Sequence, residues 1–313
     1  MRYRRHALLS VVALTGFAAT PVAMPAFAST TSLSDVREVA HFDVTTFQQP
    51  ENITLEPSGA ADVTFNRARQ VARVGTDGSV LILATLPALA TGTAAASGIV
   101  RAADGSIYVN YNAGSQSGIW RIPRGGGTAV QVVALPAVKV INGLAIDQGA
   151  DALYATDSNS GTVWKVSLRT GTASVWAQGP DLQPAATSTS GLGANGIKVH
   201  DGEVWVSNTD KGTLLRIPLG PHGRAGTVTT VAQGLTAIDD FAFIGSGDTV
   251  IAAQNFVSQV SLVHLDGTHQ TVLTATDGLS NPTSIAVRGA TAYVASAAYF
   301  THVDPNLLLA KLG

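Results

Sequence analysis

A chain of 313 residues with no cysteine and 13% charged residues is long enough to bury a large core and must hold itself together without disulfides. Its formal net charge is −2, and no long basic cluster occurs, which argues against nucleic acid and anionic membrane surfaces as partners.

The first element in chain order is a leader. Residues 1–28 start with Arg2, Arg4 and Arg5, continue as an apolar run from Ala7 to Ala19, and end in Ala26-Phe27-Ala28. That order is expected of a secretory signal peptide cleaved after residue 28. The run is short for a bilayer span and no later stretch approaches the required length, so the protein is expected to be secreted, with no membrane span. Loss of those three Arg, with all 21 acids retained, moves the mature chain 29–313 to a net charge of −5. An Ala-rich leader and a disulfide-free secreted chain suggest a bacterial source.

The mature chain is rich in Val, Thr, Ala and Gly, and shows no long stretch of helical periodicity. It repeats instead. "ENITLEPSGAADVTF", "SGIVRAADGSIYVNY", "NGLAIDQGADALYATD", "NGIKVHDGEVWVSN", "DDFAFIGSGDTVIAAQ" and "TSIAVRGATAYVAS" each hold an apolar strand, a turn and a second strand. Third strands follow ("QVARV", "GIWRI", "TVWKV", "TLLRI"), then fourth strands such as "VLILATL" and "TVTTVAQG". The units begin at 51, 97, 142, 195, 239 and 283, with steps of 44–46 residues except one of 53. Four strands per unit at that period predict a single-domain, all-β, six-bladed β-propeller. The last unit has "LLLAKL" as its third strand and lacks a fourth. "REVAHFDV" near the mature N-terminus is expected to supply it and close the ring.

Aligning the units gives one column: Glu51, Ser97, Asn142, Asn195, Asp239 and Thr283. Each member precedes the innermost strand of its blade, so the column becomes a ring around one end of the central channel. Four of the six carry carboxylate or amide oxygen, the donors a hard cation such as Ca²⁺ requires. Any one of them alone is ordinary turn chemistry. Together they predict a divalent-cation site, which would also offset the repulsion between Asp239 and its neighbour Asp240.

"PENI", "INGLAIDQGADALYATD", "ANGIKVHDGEVWVSN" and "IDDFAF" resemble the SMP-30/gluconolactonase/LRE-like superfamily over essentially the whole mature chain. The resemblance implies a calcium-dependent six-bladed propeller whose metal is held by Glu51, Asn142, Asn195 and Asp239. Two departures matter. Val140 stands where the gluconolactonase branch carries a sugar-contacting Arg, which argues against an aldonolactone. Asp240 replaces a common Gly, and paraoxonase-type members place a second polar ligand there, so Asp240 is a candidate fifth ligand.

Loops after the second strands are expected to rise to the same end of the channel. They offer Asn66, Arg67, Tyr111, Asp157, Asn208 and Asn255, of which Arg67, Tyr111, Asn208 and Asn255 are candidate substrate contacts. Asp239 and Asp157 are the candidate proton acceptors. His41, on the closing strand, reads as structural. No His pair has zinc-ligand spacing, and "GSQSG" has Gln116 where a nucleophile elbow needs Ser. The expectation is a monomeric hydrolase that uses a divalent cation, Ca²⁺ first, on a small-molecule lactone or ester. Two alternatives stay open: a binding propeller with a structural cation, and a lyase or strictosidine synthase-like activity on the same fold.

Overall fold

Twenty-four strands make up nearly all of the regular structure in the computed structural model, which describes residues 32–135 and 138–313. The expected leader lies outside the described residues. β1 (Leu33–His41) comes first. β2 (Pro50–Leu55), β3 (Ala61–Phe65), β4 (Gln70–Val74) and β5 (Val80–Thr85) form blade 1. Blade 2 is β6 (Ala95–Arg101), β7 (Ile107–Asn112), β8 (Gly118–Ile122) and β9 (Val130–Ala134). Blade 3 is β10 (Ile141–Asp147), β11 (Ala152–Asp157), β12 (Thr162–Ser167) and β13 (Ala173–Gln178). Blade 4 is β14 (Ala194–His200), β15 (Glu203–Asn208), β16 (Thr213–Pro218) and β17 (Thr229–Gln233). Blade 5 is β18 (Ile238–Phe243), β19 (Val250–Gln254), β20 (Gln259–Val263) and β21 (His269–Leu273). Blade 6 is β22 (Pro282–Arg288), β23 (Thr291–Ser296) and β24 (Asn306–Leu312), with β1 as its fourth, outermost strand.

The fold is the six-bladed propeller expected from the repeats. β1 pairs antiparallel with β24, from Leu33 opposite Leu312 to His41 opposite Asn306. The closing strand therefore begins four residues before "REVAHFDV" and ends within it. Pairing first and last segments in one sheet removes the open seam. The core is divided rather than central. Six apolar clusters sit one at each junction between neighbouring blades, as with Ile119, Val133, Leu144 and Leu153 between blades 2 and 3. Tyr154 and Trp205, on second strands, are fully buried at these junctions. Among the described residues no helix is long and apolar enough to cross a membrane.

Every innermost strand carries a β-bulge at the same place. Ile141 pairs with Asp157 and Leu144 with Ala155, so Asn142 and Gly143 together oppose Thr156. Asn195 and Gly196 likewise oppose Ser207, and Asp239 and Asp240 oppose Ala253. β2, β6 and β22 shift register at the matching positions. The extra residue bends the strand where six strands crowd the axis.

Hydroxyls on the second strands of blades 1, 3 and 4 tie the bulge to the next blade. Thr64 Oγ1 accepts from Asn52 N–H at 3.1 Å and donates to Ser97 O at 2.7 Å. Thr156 Oγ1 accepts from Gly143 N–H at 2.8 Å and donates to Asn195 O. Ser207 Oγ accepts from Gly196 N–H at 2.7 Å and donates to Asp239 O. In blade 2 the Asn110 amide donates to Asn142 O and Gly143 O, both at 2.9 Å. These bonds satisfy the backbone groups that the bulges free from the ladder.

The girdle explains the glycines. A Cβ on Gly143 would lie 2.3 Å from Asn195 O, and one on Gly98 2.4 Å from Asn142 O, so backbone meets backbone there. Gly143→Ala should destabilise the protein by about 2 kcal/mol or more, because neither carbonyl nor strand can yield. Gly149→Ala, whose Cβ would come no closer than 3.5 Å to another heavy atom, should stay within about 0.5 kcal/mol of wild type. Denaturant unfolding of the two variants checks this, and equal stabilities would contradict the close approach.

Candidate functional site

One cavity of about 760 Å³ opens where the column residues gather. Glu51 from β2, Asn142 from β10, Asn195 from β14 and Asp239 from β18 all line it. Ser97 and Thr283, the other two members of the column, do not. Their hydroxyls donate to Ile141 O at 2.7 Å and Pro50 O at 2.8 Å, so they serve the girdle instead. Walls come from loops after second strands, including Arg67, Asn255 and Phe256, and Tyr299 with Phe300. The long link between β13 and β14, which accounts for the one 53-residue step, adds Thr189, Ser190 and Leu192.

The polar floor is oriented by the residues around it. Thr209 Oγ1 donates its one proton to Ile238 O at 2.8 Å, so it accepts from Asn195 Nδ2, also at 2.8 Å. The side-chain oxygen of Asn195, Oδ1, is thereby left without a partner among the described residues. The Asn142 side chain makes no hydrogen bond among the described residues. The Tyr299 hydroxyl donates to Glu51 Oε2. Neither Glu51 nor Asp239 has a Lys, Arg or His partner within ion-pair distance among the described residues. Among the described residues Arg67 is the one cationic side chain lining the cavity, and it pairs with neither acid.

Two acids held this way resist ionisation. Burial pushes the Glu51 carboxyl up to about 7, against the pull of the Tyr299 hydroxyl, and the nearby Asp240 charge adds to the rise. Asp239 is pushed well above the usual carboxylate range, first by burial, then by the charges of Glu51 and Asp240, against the amides of Asn195 and Asn255. The Tyr299 hydroxyl is raised by burial and by the Glu51 charge, which keeps it a donor.

The structure sorts the remaining candidates. Arg67 and Asn255 line the cavity, whereas Asp240, Asp157, Tyr111 and Asn208, expected there, do not. The Asp240 carboxylate turns into the channel behind the floor. It accepts from Lys198 Nζ at 2.7 and 2.8 Å, from Ser284 Oγ at 2.6 Å and from Asn52 Nδ2 at 3.2 Å. The bulge thus sends neighbouring acids to opposite sides. Asp157 caps its own turn, accepting from Ser160 Oγ at 2.6 Å and Asn159 N–H at 3.1 Å. Tyr111 is fully buried and donates to Pro87 O. Asn208 is buried and donates to Asp181 O at 2.8 Å and Gln183 O at 2.9 Å, pinning the long β13–β14 link. Sequence reasoning missed Tyr299, Phe300, Leu192 and Phe256. The first two follow the second strand of blade 6, the same place that supplies Arg67 and Asn255 in blades 1 and 5. That equivalence was the signal available.

Fold and cavity together define a six-bladed propeller with an acid-floored pocket at one end of its channel. The chain belongs to the family described as a repeat of unknown function (DUF6923), whose model matches residues 58–239. That family is not the superfamily the motifs resemble, and among curated proteins no sequence matches the chain. Solved structures do. A putative gluconolactonase superposes with a TM-score of 0.66 at 14% identity, covering 92% of this chain and 94% of that one. The PQQ-bound aldose sugar dehydrogenase from Streptomyces coelicolor gives 0.65 at 16%, covering 91% and 99%. Virginiamycin B lyase from Staphylococcus aureus gives 0.60 at 13%, covering 90% and 100%. At such identities the likeness is one of fold.

The raised carboxyls set a pH dependence for chelated protein. Glu51 holds its proton more tightly folded than unfolded, so its contribution is fully present below pH 4.5 and is lost as pH rises through about 7. Asp62, raised by burial to about 6, acts in the same direction over a lower window. Chelated wild type should therefore melt lower at pH 8 than at pH 5, and Glu51→Gln should shrink that difference. Melting curves at the two pH values check it; an identical difference in the variant would contradict the burial of Glu51.

Proposed function

We propose that the protein is a divalent-cation-dependent hydrolase of lactones or related esters. The observation that carries this reading is the floor of the cavity. Two carboxylates and two amides from four blades face one space, and among the described residues no cationic side chain is paired with the acids. This all-oxygen donor set suits a hard cation, Ca²⁺ first, held by Glu51, Asn142, Asn195 and Asp239. When bound, such an ion supplies Lewis acidity toward a carbonyl oxygen.

The chain's own residues supply the rest. Tyr299 fixes the rotamer of Glu51 through its hydrogen bond. Thr209 fixes the amide of Asn195. Of the two expected proton acceptors, Asp239 alone reaches the cavity. In hydrolysis the water oxygen bonds to the carbonyl carbon and the ester C–O bond breaks. One water proton goes to the departing oxygen and the other is released, leaving a carboxylate. Arg67, on the cavity wall, suits that product charge. The name of the putative gluconolactonase is compatible with a lactone substrate, whereas Val140 on this cavity's wall argues against an aldonolactone. The lyase neighbour keeps elimination as the rival chemistry, and product masses separate the two, since hydrolysis adds one water.

A lactone and ester panel, with Ca²⁺ and after chelation, tests the reading. Turnover should require the cation, and Asn142→Ala and Asn195→Ala should each lower it by about tenfold or more while the propeller stays folded. Absence of cation-dependent turnover across the panel would move the binding-protein alternative ahead. Calorimetric titration separates the adjacent acids. Asp239→Asn should weaken Ca²⁺ binding far more than Asp240→Asn, because only Asp239 faces the floor. A loss confined to Asp240→Asn would reverse the assignment.

A further inference from the structure

The cavity is far larger than a bare lactone ring needs and falls in the range of drug-sized ligands. Its walls are not built for a polyol. Val140, Leu192, Phe256 and Phe300 supply apolar surface around a polar floor. Phe256 is 47% exposed and Phe300 61%, so both rings stand at the mouth. They meet edge to face, with centroids 5.0 Å apart and planes at 86°. Singly exposed apolar residues are ordinary, as Val175 is on β13. A paired set beside a polar cavity is a different arrangement.

The pair is also held from below. Asn281, 2% exposed, lies between blades 5 and 6. Its Oδ1 accepts from Phe300 N–H at 2.9 Å and Thr301 N–H at 3.1 Å, while its Nδ2 donates to Asn255 O at 3.2 Å. One buried side chain thus clamps the loop of each ring. Tyr299, just before Phe300, bonds Glu51, and the Asn255 amide, just before Phe256, donates to Asn281 O at 3.5 Å and Pro282 O at 3.4 Å. Tyr299 thereby joins the Phe300 side of the apolar mouth to the polar floor.

From this geometry we infer that the substrate carries an apolar arm, seated against Phe256, Phe300 and Leu192 while its carbonyl faces the floor. The inference rests on the hydrolase reading and narrows it from lactones in general to lactones or esters with an alkyl or aryl substituent. It gives Phe256 and Phe300 the role of selecting substrate by that arm.

The test uses γ-lactams, which mimic the lactone ring without being hydrolysed, so binding is read apart from turnover. Calorimetry compares 5-butyl- and 5-octyl-2-pyrrolidone on the full chain in the presence of Ca²⁺. A fully buried methylene multiplies affinity about fourfold, so four additional, partly covered methylenes should give an octyl-to-butyl ratio of about tenfold. Phe256→Ala and Phe300→Ala should each cut the ratio to about threefold or less, and Leu81→Ser, on the outer strand of blade 1, should keep it. A ratio near one in wild type, or a ratio untouched by both Phe variants, overturns the inference. The corresponding lactones are then assayed for turnover. Lactam binding with this pattern but no lactone turnover supports the arm and contradicts hydrolysis alone. Turnover indifferent to chain length supports hydrolysis and overturns the arm.

Discussion

Six inner strands converge on one axis, and each carries an extra residue where the crowding is greatest. The bulge is the constraint on which the rest depends. It frees backbone groups that second-strand hydroxyls and amides then tie to the neighbouring blade, so the ring closes through a polar girdle as well as through its apolar junctions. At blades 3, 4 and 5 it puts two successive residues opposite one partner. The first reaches the cavity, and the second faces the channel or another backbone. Gly98, Gly143 and Gly196 take the second place because a side chain there would meet a carbonyl or Asp240. Blade 5 has Asp240 in that place, and its carboxylate crosses to groups from blades 1, 4 and 6.

That division separates two electrostatic problems along one axis. On the channel side, one buried carboxylate has one ammonium, with Ser284 and Asn52 completing its hydrogen bonds. This is the condition under which a buried ion pair is tolerable. On the cavity side, two carboxylates share a floor and lack such a partner. Lys198 is already committed to Asp240, and Arg67 stands on the wall. The upper pair must hold protons or meet a charge from outside the chain, which is why the proposed cation follows from the same bulge that splits Asp239 from Asp240.

Legibility followed the repeat. Periodicity made the blades, the closing strand and the column readable, because each is a position recurring in register. Glu51, Asn142, Asn195 and Asp239 sit together for that reason. Residues at and just after the ends of the second strands share places but not roles, and the same kind of side chain serves different ends in different blades. Asn208 and Asp157 spend their polar atoms holding local backbone, whereas Asn255, at a similar place, lies at the cavity. Tyr111 looked like a rim residue but is consumed by the junction between blades 1 and 2. Leu192 became a wall only because the long β13–β14 link folds over the mouth. Asp240 could be separated from Asp239 by strand alternation, but its partners came from three other blades, which no local pattern announces.

The most direct test of the central claim is an anomalous difference map from crystals grown with Mn²⁺ or Ca²⁺. The account predicts one strong peak on the cavity floor, within roughly 2.0–2.6 Å of oxygens from Glu51, Asn142, Asn195 and Asp239. A floor without a peak in crystals whose metal content is verified would contradict it. So would a peak found instead at the exposed Glu38–His41–Asp304 cluster beside the closing strand.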